Sequence, residues 1–501
     1  MRKSIQYFSI FTFIKKRWYV HDYLLHVIGF LCALAFLGLA YSSQSYGDAS
    51  LIDLLGVSAW VLTCTVCFLG YCVYKNIALP ISHIIFWACV FRIIGVFSYP
   101  VLEDDHFRFL WDGYQFLSSG SPYVAAPAAF FDSELSDRFD DILSAINYPE
   151  VPTIYAPVTQ SVFALAYLIS PGQIWALKLL LVLFDVALLL LLAYGLKRIT
   201  PIYVGSSSLI SYQILAFFLY AWSPLLIKET AFTGHPDIIG VFFMMAAIFW
   251  RDYNKSHTLL AWGGAAILCA LAVGSKIFAL ILIPFVLQFC WRSWGVFIVS
   301  SAMLFLPFIE DLLNLYRSLQ TMGESWLFNA PIYLVFNHVA AYFSGSMSID
   351  FYLSGIALIK QVGVSVFVIF WLYYTCRFFG LHNGWRLGIQ QLWFWVSHVC
   401  IVRSPITVRG DYLFGFFFLI IPALNPWYLI WLLPFAVLHL SVWAWAASFA
   451  ILLSYIIGLN INDSNLMGYD QPVWAVIFEY SIIFFALYID KTCIKRKNYL
   501  R

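Results

Sequence analysis

Charge is scarce in this sequence. Asp, Glu, Lys and Arg make up 11% of the 501 residues, against 62% hydrophobic, and the mean hydropathy is +0.83. Soluble domains carry about a quarter charged residues. This composition therefore cannot cover the surface of a water-soluble protein of 57.4 kDa. A cytosolic enzyme, a secreted disulfide scaffold and a disordered regulator are excluded. Net charge is +2, from 28 basic and 26 acidic residues, and no Lys/Arg-rich patch of the kind that meets nucleic acid is present. Internal repeats, low-complexity tracts and a nucleotide-binding signature are also missing. The ten cysteines are scattered, mostly within apolar runs. Cys64 and Cys67 form a lone CxxC with no second pair at zinc spacing, so they read as small buried hydrophobes.

What the chain has instead is apolar length and aromatic rings. Phe (47), Tyr (31) and Trp (20) amount to 20% of the residues, which suits lipid-facing and interfacial positions. Runs long enough to span a bilayer, about 20 residues each, lie near 24–41, 51–74, 78–98, 173–196, 206–227, 235–250, 258–274, 276–291, 293–309, 352–375, 427–458 (as a pair) and 472–489. The segments 388–402 and 411–424 are apolar but short. The expectation is an all-α polytopic membrane protein of about twelve spans. No cleavable signal peptide is evident. The first run follows Arg2, Lys3, Lys15, Lys16 and Arg17 and reads as an anchoring span.

Lys and Arg mark the cytoplasmic side. They cluster at the N-terminus, at Lys197–Arg198, at Arg251 with Lys255, at Arg292, at Arg377 with Arg386, and in the tail from Lys491 through Lys495, Arg496 and Lys497 to Arg501. The chain thus divides into a cytoplasmic segment 1–23, a multi-span domain 24–490 and a basic cytoplasmic tail 491–501. Three spans from an inside N-terminus put the first long loop, within 99–170, outside. Between residues 103 and 150 it holds ten acids against two Arg. A polar loop of this length is more often functional than a bare connector.

The loop begins Glu103-Asp104-Asp105-His106. Three consecutive carboxylates beside a low-dielectric boundary repel one another, which raises at least one pKa. Such a cluster suits a general base or an oxygen-rich cation site; a solvated acidic loop is the plain alternative. Phe107, Leu110, Tyr114 and Leu117 recur at helical spacing, predicting an amphipathic helix along the membrane surface that stops at Gly120-Ser121-Pro122. The helix dipole favours the carboxylates at its start. Residues 147–157 carry Pro149, Pro152 and Pro157, which lock an extended segment. On it, Tyr148 and Tyr155 either stack on a sugar or stand at headgroup level. The stretch 158–170 is too short to span and reads as a helix lying against the outer face.

The order EDDHFRFLWDG (103–113), GSPY (120–123) and NYPEVPTIYAP (147–157) resembles the first outer loop of the GT-C polyprenyl-phosphate-sugar-dependent glycosyltransferases. It is most similar to bacterial polyprenol-phosphate-mannose mannosyltransferases and to the eukaryotic GPI mannosyltransferase I group. Further matches follow in order: WSPLLIKETAFTGHPD (222–237), GSKIFALILIPF (274–285) and NPWYLIWLLPF (425–435). The resemblance implies a GT-C type bundle whose first extracytoplasmic loop carries interfacial helices. It implies a multi-pass protein of a bacterial inner membrane, with its active site facing the periplasm or exterior. It also implies inverting transfer of a hexose, mannose by closest likeness, from a polyprenyl-phosphate sugar to a glycan or glycolipid acceptor. No metal or other cofactor is expected, and the partners are the lipid-linked donor, the acceptor and membrane lipid.

By the same resemblance Asp104 lines up best as the base, on the leading Asp of a DxD pattern whose second Asp falls on His106; Asp105 intervenes, and the catalytic assignment stays open between Asp104 and Asp105. Glu103, Arg108, Tyr148, Tyr155, Lys228, His235, Asp237, Lys276, Asn425 and Tyr428 are the expected substrate-binding residues. A leaving lipid phosphate needs cations where charge develops. Lys276 stands between two apolar runs, where an isolated charge is costly and therefore a functional candidate. Lys228 and Glu229 either pair or serve the site. Asn425 stands where bacterial relatives often carry His. It supplies a hydrogen bond without charge, which leaves Arg403 or Arg409 as the alternative cation. Lys178 and Asp185, seven apart on one helix face, read as interior packing, with Arg92 and His398 also buried. The competing function is a transporter with an acidic outer cation or proton site. Transporters hold coupling residues near the bilayer midplane, which this acid distribution disfavours.

Overall fold

The computed structural model describes residues 20–45, 47–75, 77, 79–203, 207–254, 258–342, 349–380, 404–462 and 464–499. The 388–402 run with His398, and also Arg386, Lys255 and Arg403, lie outside the described residues, as does most of the 1–23 segment. Among the described residues every element is helical, apart from one parallel bridge between Phe328 and Ala423.

Seven described helices are long and apolar enough to cross a bilayer: Asp22–Ser42, Leu51–Lys75, Ile174–Leu196, Tyr212–Thr233, Trp291–Phe308, Leu353–Phe379 and Val473–Thr492. Among the described residues, long helices account for seven of the roughly twelve expected spans. The 78–98 run forms the shorter Ile81–Val96, and the 258–274 run forms Leu259–Ser275. The 276–291 run breaks into a 3₁₀ turn Ile277–Ile281 and a short helix Ile283–Leu287, which ends where Gln288 turns to φ 53°. The 427–458 run breaks into Pro426–Trp431, Leu433–His439, Val442–Ala450 and Ile451–Tyr455. Pro284, Pro426 and Pro434 explain the breaks, since proline donates no backbone hydrogen bond and starts helices better than it continues them. These pieces are largely buried against other helices, and irregular backbone at membrane depth is tolerated where protein covers it.

Ion pairing ties the core. The Arg92 guanidinium donates to Asp185 at 2.6 Å and to the carbonyls of Ala88 and Ala221 at 3.0 and 2.9 Å. Thr230 adds its hydroxyl to the same carboxylate at 3.2 Å. Lys178 is fully buried and donates to the Ser98 carbonyl at 2.5 Å. Lys178 and Asp185 therefore face the interior as the spacing predicts, but each takes a partner from another part of the chain.

The segment after the third apolar helix positions the site. Helix Asp105–Ser119 starts at the acidic cluster and stops at Gly120, whose φ of 80° is the left-handed conformation glycine adopts without strain. Its His106, Phe107, Leu110, Trp111 and Asp112 are all buried. Its neighbour is helix Pro157–Ile169, and Gly113 makes the close approach possible. A Cβ there would sit 2.6 Å from the Phe163 carbonyl oxygen. Span Tyr212–Thr233 ends in a π-helical turn, Lys228–Thr233, and Gly234 at φ 87° reverses the chain into helix Asp237–Tyr253. Such turns recur at functional sites because the extra residue redirects side chains.

Candidate active site

The carboxylate cluster opens onto a cavity of about 390 Å³. Glu103, Asp104 and Asp105 line it, and so do Arg108, Tyr148, Tyr155, Lys276, Asn425 and Tyr428. Nine sequence-predicted residues from four separated stretches therefore share one hollow. The other three, Lys228, His235 and Asp237, are buried immediately behind its wall.

Behind the wall runs a buried polar relay. The Lys228 amine lies 3.8 Å from Glu103 and 3.3 Å from Glu229. Glu229 accepts from the Tyr455 hydroxyl at 2.7 Å and meets His235 Nδ1 at 2.8 Å. The same Tyr455 hydroxyl accepts a short hydrogen bond from Lys228. His235 Nε2 points back to the cavity, 3.6 Å from Asp105. The cavity carboxylates are thus backed by two basic side chains that share one buried glutamate. Lys228 and Glu229 do pair, and the pair also belongs to the site.

On the other side, Lys276 is paired with the buried Asp237 at 2.9 Å, and Trp431 Nε1 donates to the second oxygen of that carboxylate at 3.0 Å. The ammonium sits 4.7 Å from the centre of the Tyr428 ring, a cation–π arrangement. Lys276 keeps 18% of its side chain exposed, whereas Asp237 keeps none. The lysine therefore offers its positive charge to the cavity while Asp237 offsets its desolvation from behind.

Arg108 has a second employment. It donates to the carbonyls of Val151, Asn147 and Tyr148 at 2.9, 3.3 and 3.0 Å. This braces the proline-locked segment, so Arg108 both lines the cavity and shapes it. Arg409 does not reach the site; it forms its own ion pair with Asp411 at 2.6 Å.

Burial sets the protonation of the loop. It pushes the Glu103 carboxyl up to about 8, against the opposing pull of Lys228. Asp112 is raised to about 6 by burial, although it accepts from the Gln160 amide at 2.9 Å. Burial also holds His106 down at about 3, so the imidazole is neutral. Glu103 is therefore mostly protonated at neutral pH. Among the described residues, no group of three or more His, Cys, Asp or Glu side chains is placed to hold a metal ion.

Sequence reasoning missed several of the cavity's residues. Trp427 and Tyr455 line it, as do Trp326, Phe328 and Tyr469. Trp427 lay within a quoted motif, but nothing local set it apart. Tyr455 sat in an apolar run that reads as a span.

Residues 34–292 match the family model described as alpha-(1->6)-mannopyranosyltransferase, N-terminal domain, of the MptA_B family. The matched stretch includes Glu103 to Asp105, Lys228, His235, Asp237 and Lys276; Asn425, Trp427, Tyr428 and Tyr455 lie beyond it. No curated protein and no solved structure matches the chain.

Proposed function

This chain belongs to the alpha-(1->6)-mannopyranosyltransferase family, and on that premise we propose that it takes mannose from a polyprenyl-phosphate carrier on the extracytoplasmic face, with Asp104 as general base. As a member of the family it is a mannosyltransferase embedded in a membrane by several apolar helices. The carrier, the base and the face are the proposal.

The observation that carries it is the meeting of the Glu103–Asp105 carboxylates with Lys276 in one cavity walled by tyrosine and tryptophan. Asp104 takes the proton of the acceptor hydroxyl as its oxygen attacks the anomeric carbon. The bond from that carbon to the phosphate oxygen breaks on the opposite face, and its electron pair leaves with the lipid phosphate. The configuration inverts. Lys276 donates to the departing phosphate, where charge builds in a poorly hydrated place. Asp105 sits beside the base, and His235 holds it from behind. Asn425 and Tyr428 supply neutral polar contacts to the donor head, and Tyr155 offers a ring face to the sugar. The proton and the charge are both handled by side chains, so the chemistry calls for no metal and no nucleotide.

The lysine and arginine clusters on the far ends of the spans support the outer placement of the loop. The test is incubation of purified protein with a panel of radiolabelled lipid-linked monosaccharides, with and without a chelator. A glycosidic product from polyprenyl-phosphate mannose, unaffected by chelation, is expected. Consumption only of a nucleotide sugar, or dependence on a divalent ion, defeats the reading. A transporter would instead give flux in liposomes and no glycosidic product.

A further inference from the structure

We infer that the mouth of the cavity, where Tyr148 meets Trp326, is a second sugar subsite that holds an inner ring of the acceptor glycan. The inference rests on the transferase reading above and extends it to the acceptor.

Exposure separates the mouth of the cavity from its depth. Tyr428 and Tyr455 are 3% and 6% exposed, whereas Tyr148 and Tyr469 are 50% and 53% exposed. At the mouth the Tyr148 and Trp326 rings lie 5.0 Å apart with 35° between their planes. The two rings pack against each other at a tilt, and together they present aromatic carbon at the cavity mouth. The amide of Asn147 and the hydroxyl of Tyr469 stand 3.5 Å apart beside it. A pyranose has an apolar C–H face and a rim of hydroxyls. The C–H face suits the electron-rich face of an aromatic ring, and the hydroxyls suit an amide and a phenol. A single hexose at the carboxylate end leaves this surface uncovered, whereas a longer glycan crosses it.

Rings that merely anchored a protein at the membrane interface would need no fixed geometry, yet both of these are held. Tyr148 sits at φ 51°, a conformation rare for a bulky residue and found where the surroundings over-determine it. Here the determinant is Arg108, which grips the carbonyls of Asn147, Tyr148 and Val151.

Trp326 leads into a second braced segment. Phe328 exchanges backbone hydrogen bonds with Pro422 and Leu424 at 3.0 and 2.9 Å. Asn329, at φ 46°, donates its amide to both oxygens of Glu479 at 2.9 and 3.2 Å, and its carbonyl accepts from Tyr480 at 2.9 Å. Glu479 is fully buried within the span Val473–Thr492, where a carboxylate is costly and kept for a purpose. Through Asn329 it positions the loop that carries Trp326. Fixing both rings before the ligand arrives removes an ordering cost from binding.

The experiment uses the full-length protein in lipid nanodiscs with polyprenyl-phosphate mannose as donor. Two acceptors are compared, methyl α-mannopyranoside with one ring and a linear α-1,6-linked mannotetraose. Trp326→Ala is expected to raise KM for the tetraose about five- to tenfold, the worth of one stacking contact, with kcat held and KM for the single ring unchanged, and Tyr148→Ala to raise KM for the tetraose more than KM for the single ring. Trp326→Phe should restore most of the loss. Glu479→Gln should shift the same ratio in the same direction. The inference stands if either aromatic variant shows this length-selective rise. It falls if both treat the two acceptors alike. If the wild-type protein uses neither acceptor but still spends the donor, the subsite falls alone; if the donor is not spent, the transferase reading falls and takes the subsite with it.

Discussion

The His235 imidazole lies flat on the Trp427 indole, with ring centres 3.7 Å apart and 12° between the planes. His235 comes from the turn that closes one span, and Trp427 from a proline-broken segment almost two hundred residues later. The stack leaves the imidazole little rotational freedom, and its Nε2 faces Asp105. Replacing Trp427 with Leu should therefore let the ring turn and lower kcat about ten- to hundredfold, while Trp427→Phe retains most activity. Unchanged kcat in the Leu variant would show that the stack is only packing.

Asp104→Asn should cut kcat by at least about a hundredfold, the usual contribution of a positioned base, and leave donor binding nearly intact. Asp105→Asn measured in parallel separates the two. If the Asp105 variant is the dead one and the Asp104 variant turns over normally, the base assignment moves one residue along.

Lys276→Met removes a charge-assisted contact to the leaving phosphate. Donor dissociation should weaken by about ten- to hundredfold, corresponding to a charged hydrogen bond, with acceptor KM little changed. A donor titration that overlays the wild-type curve would rule out the phosphate role.

Glu103 makes stability depend on pH. Its carboxyl titrates near 8 in the folded protein but near about 4.3 when unfolded. Between those values the folded state holds the extra proton, so its contribution to stability is present at low pH and lost as pH rises towards 8. His106, lowered by burial, acts in the opposite direction, but only as pH falls through about 6.5. Over pH 6.5 to 8.5 the melting temperature should therefore fall more steeply in the wild type than in Glu103→Gln, since His235, raised to about 9 by Asp105 and Glu229 against its burial, adds the same downward slope to both. Parallel slopes for the two proteins would contradict the assignment.

Asp185→Ala strands the Arg92 cation in the core. Breaking a buried pair on one side costs about 3–5 kcal/mol, so the variant should melt far earlier in detergent. The double change Arg92→Met with Asp185→Leu should recover most of the loss, because no buried charge then remains. A single variant as stable as the wild type would mean that water reaches the arginine.

Much of the site could be read from local chemistry. The Glu103–Asp105 cluster at a helix start, the stop at Gly120 and the lone lysine between apolar runs are all properties of neighbouring residues, and the structure holds each of them. The membrane class follows from composition alone. The number of full spans could not be read in this way. Hydropathy reports how greasy a segment is, whereas Pro284 and Pro434 decide whether it continues, and burial against other helices decides whether it must cross at all.

The parts that local reading left out are those made by pairing across the chain. Glu229 becomes the hub between Lys228, His235 and Tyr455 only because a π-turn and a distant broken helix meet. Asp237 neutralises Lys276 from a different helix, and Glu479 holds Asn329 across 150 residues. The sequence by itself determined an apolar helical chain with an acid cluster just after its third apolar run. Tertiary structure decided which of those acids face a cavity, which cations stand behind them and which rings wall it. The reason is physical: backbone propensity and hydropathy act over a few residues, whereas desolvation of a charge is offset only by whatever partner the completed fold brings within a few ångströms.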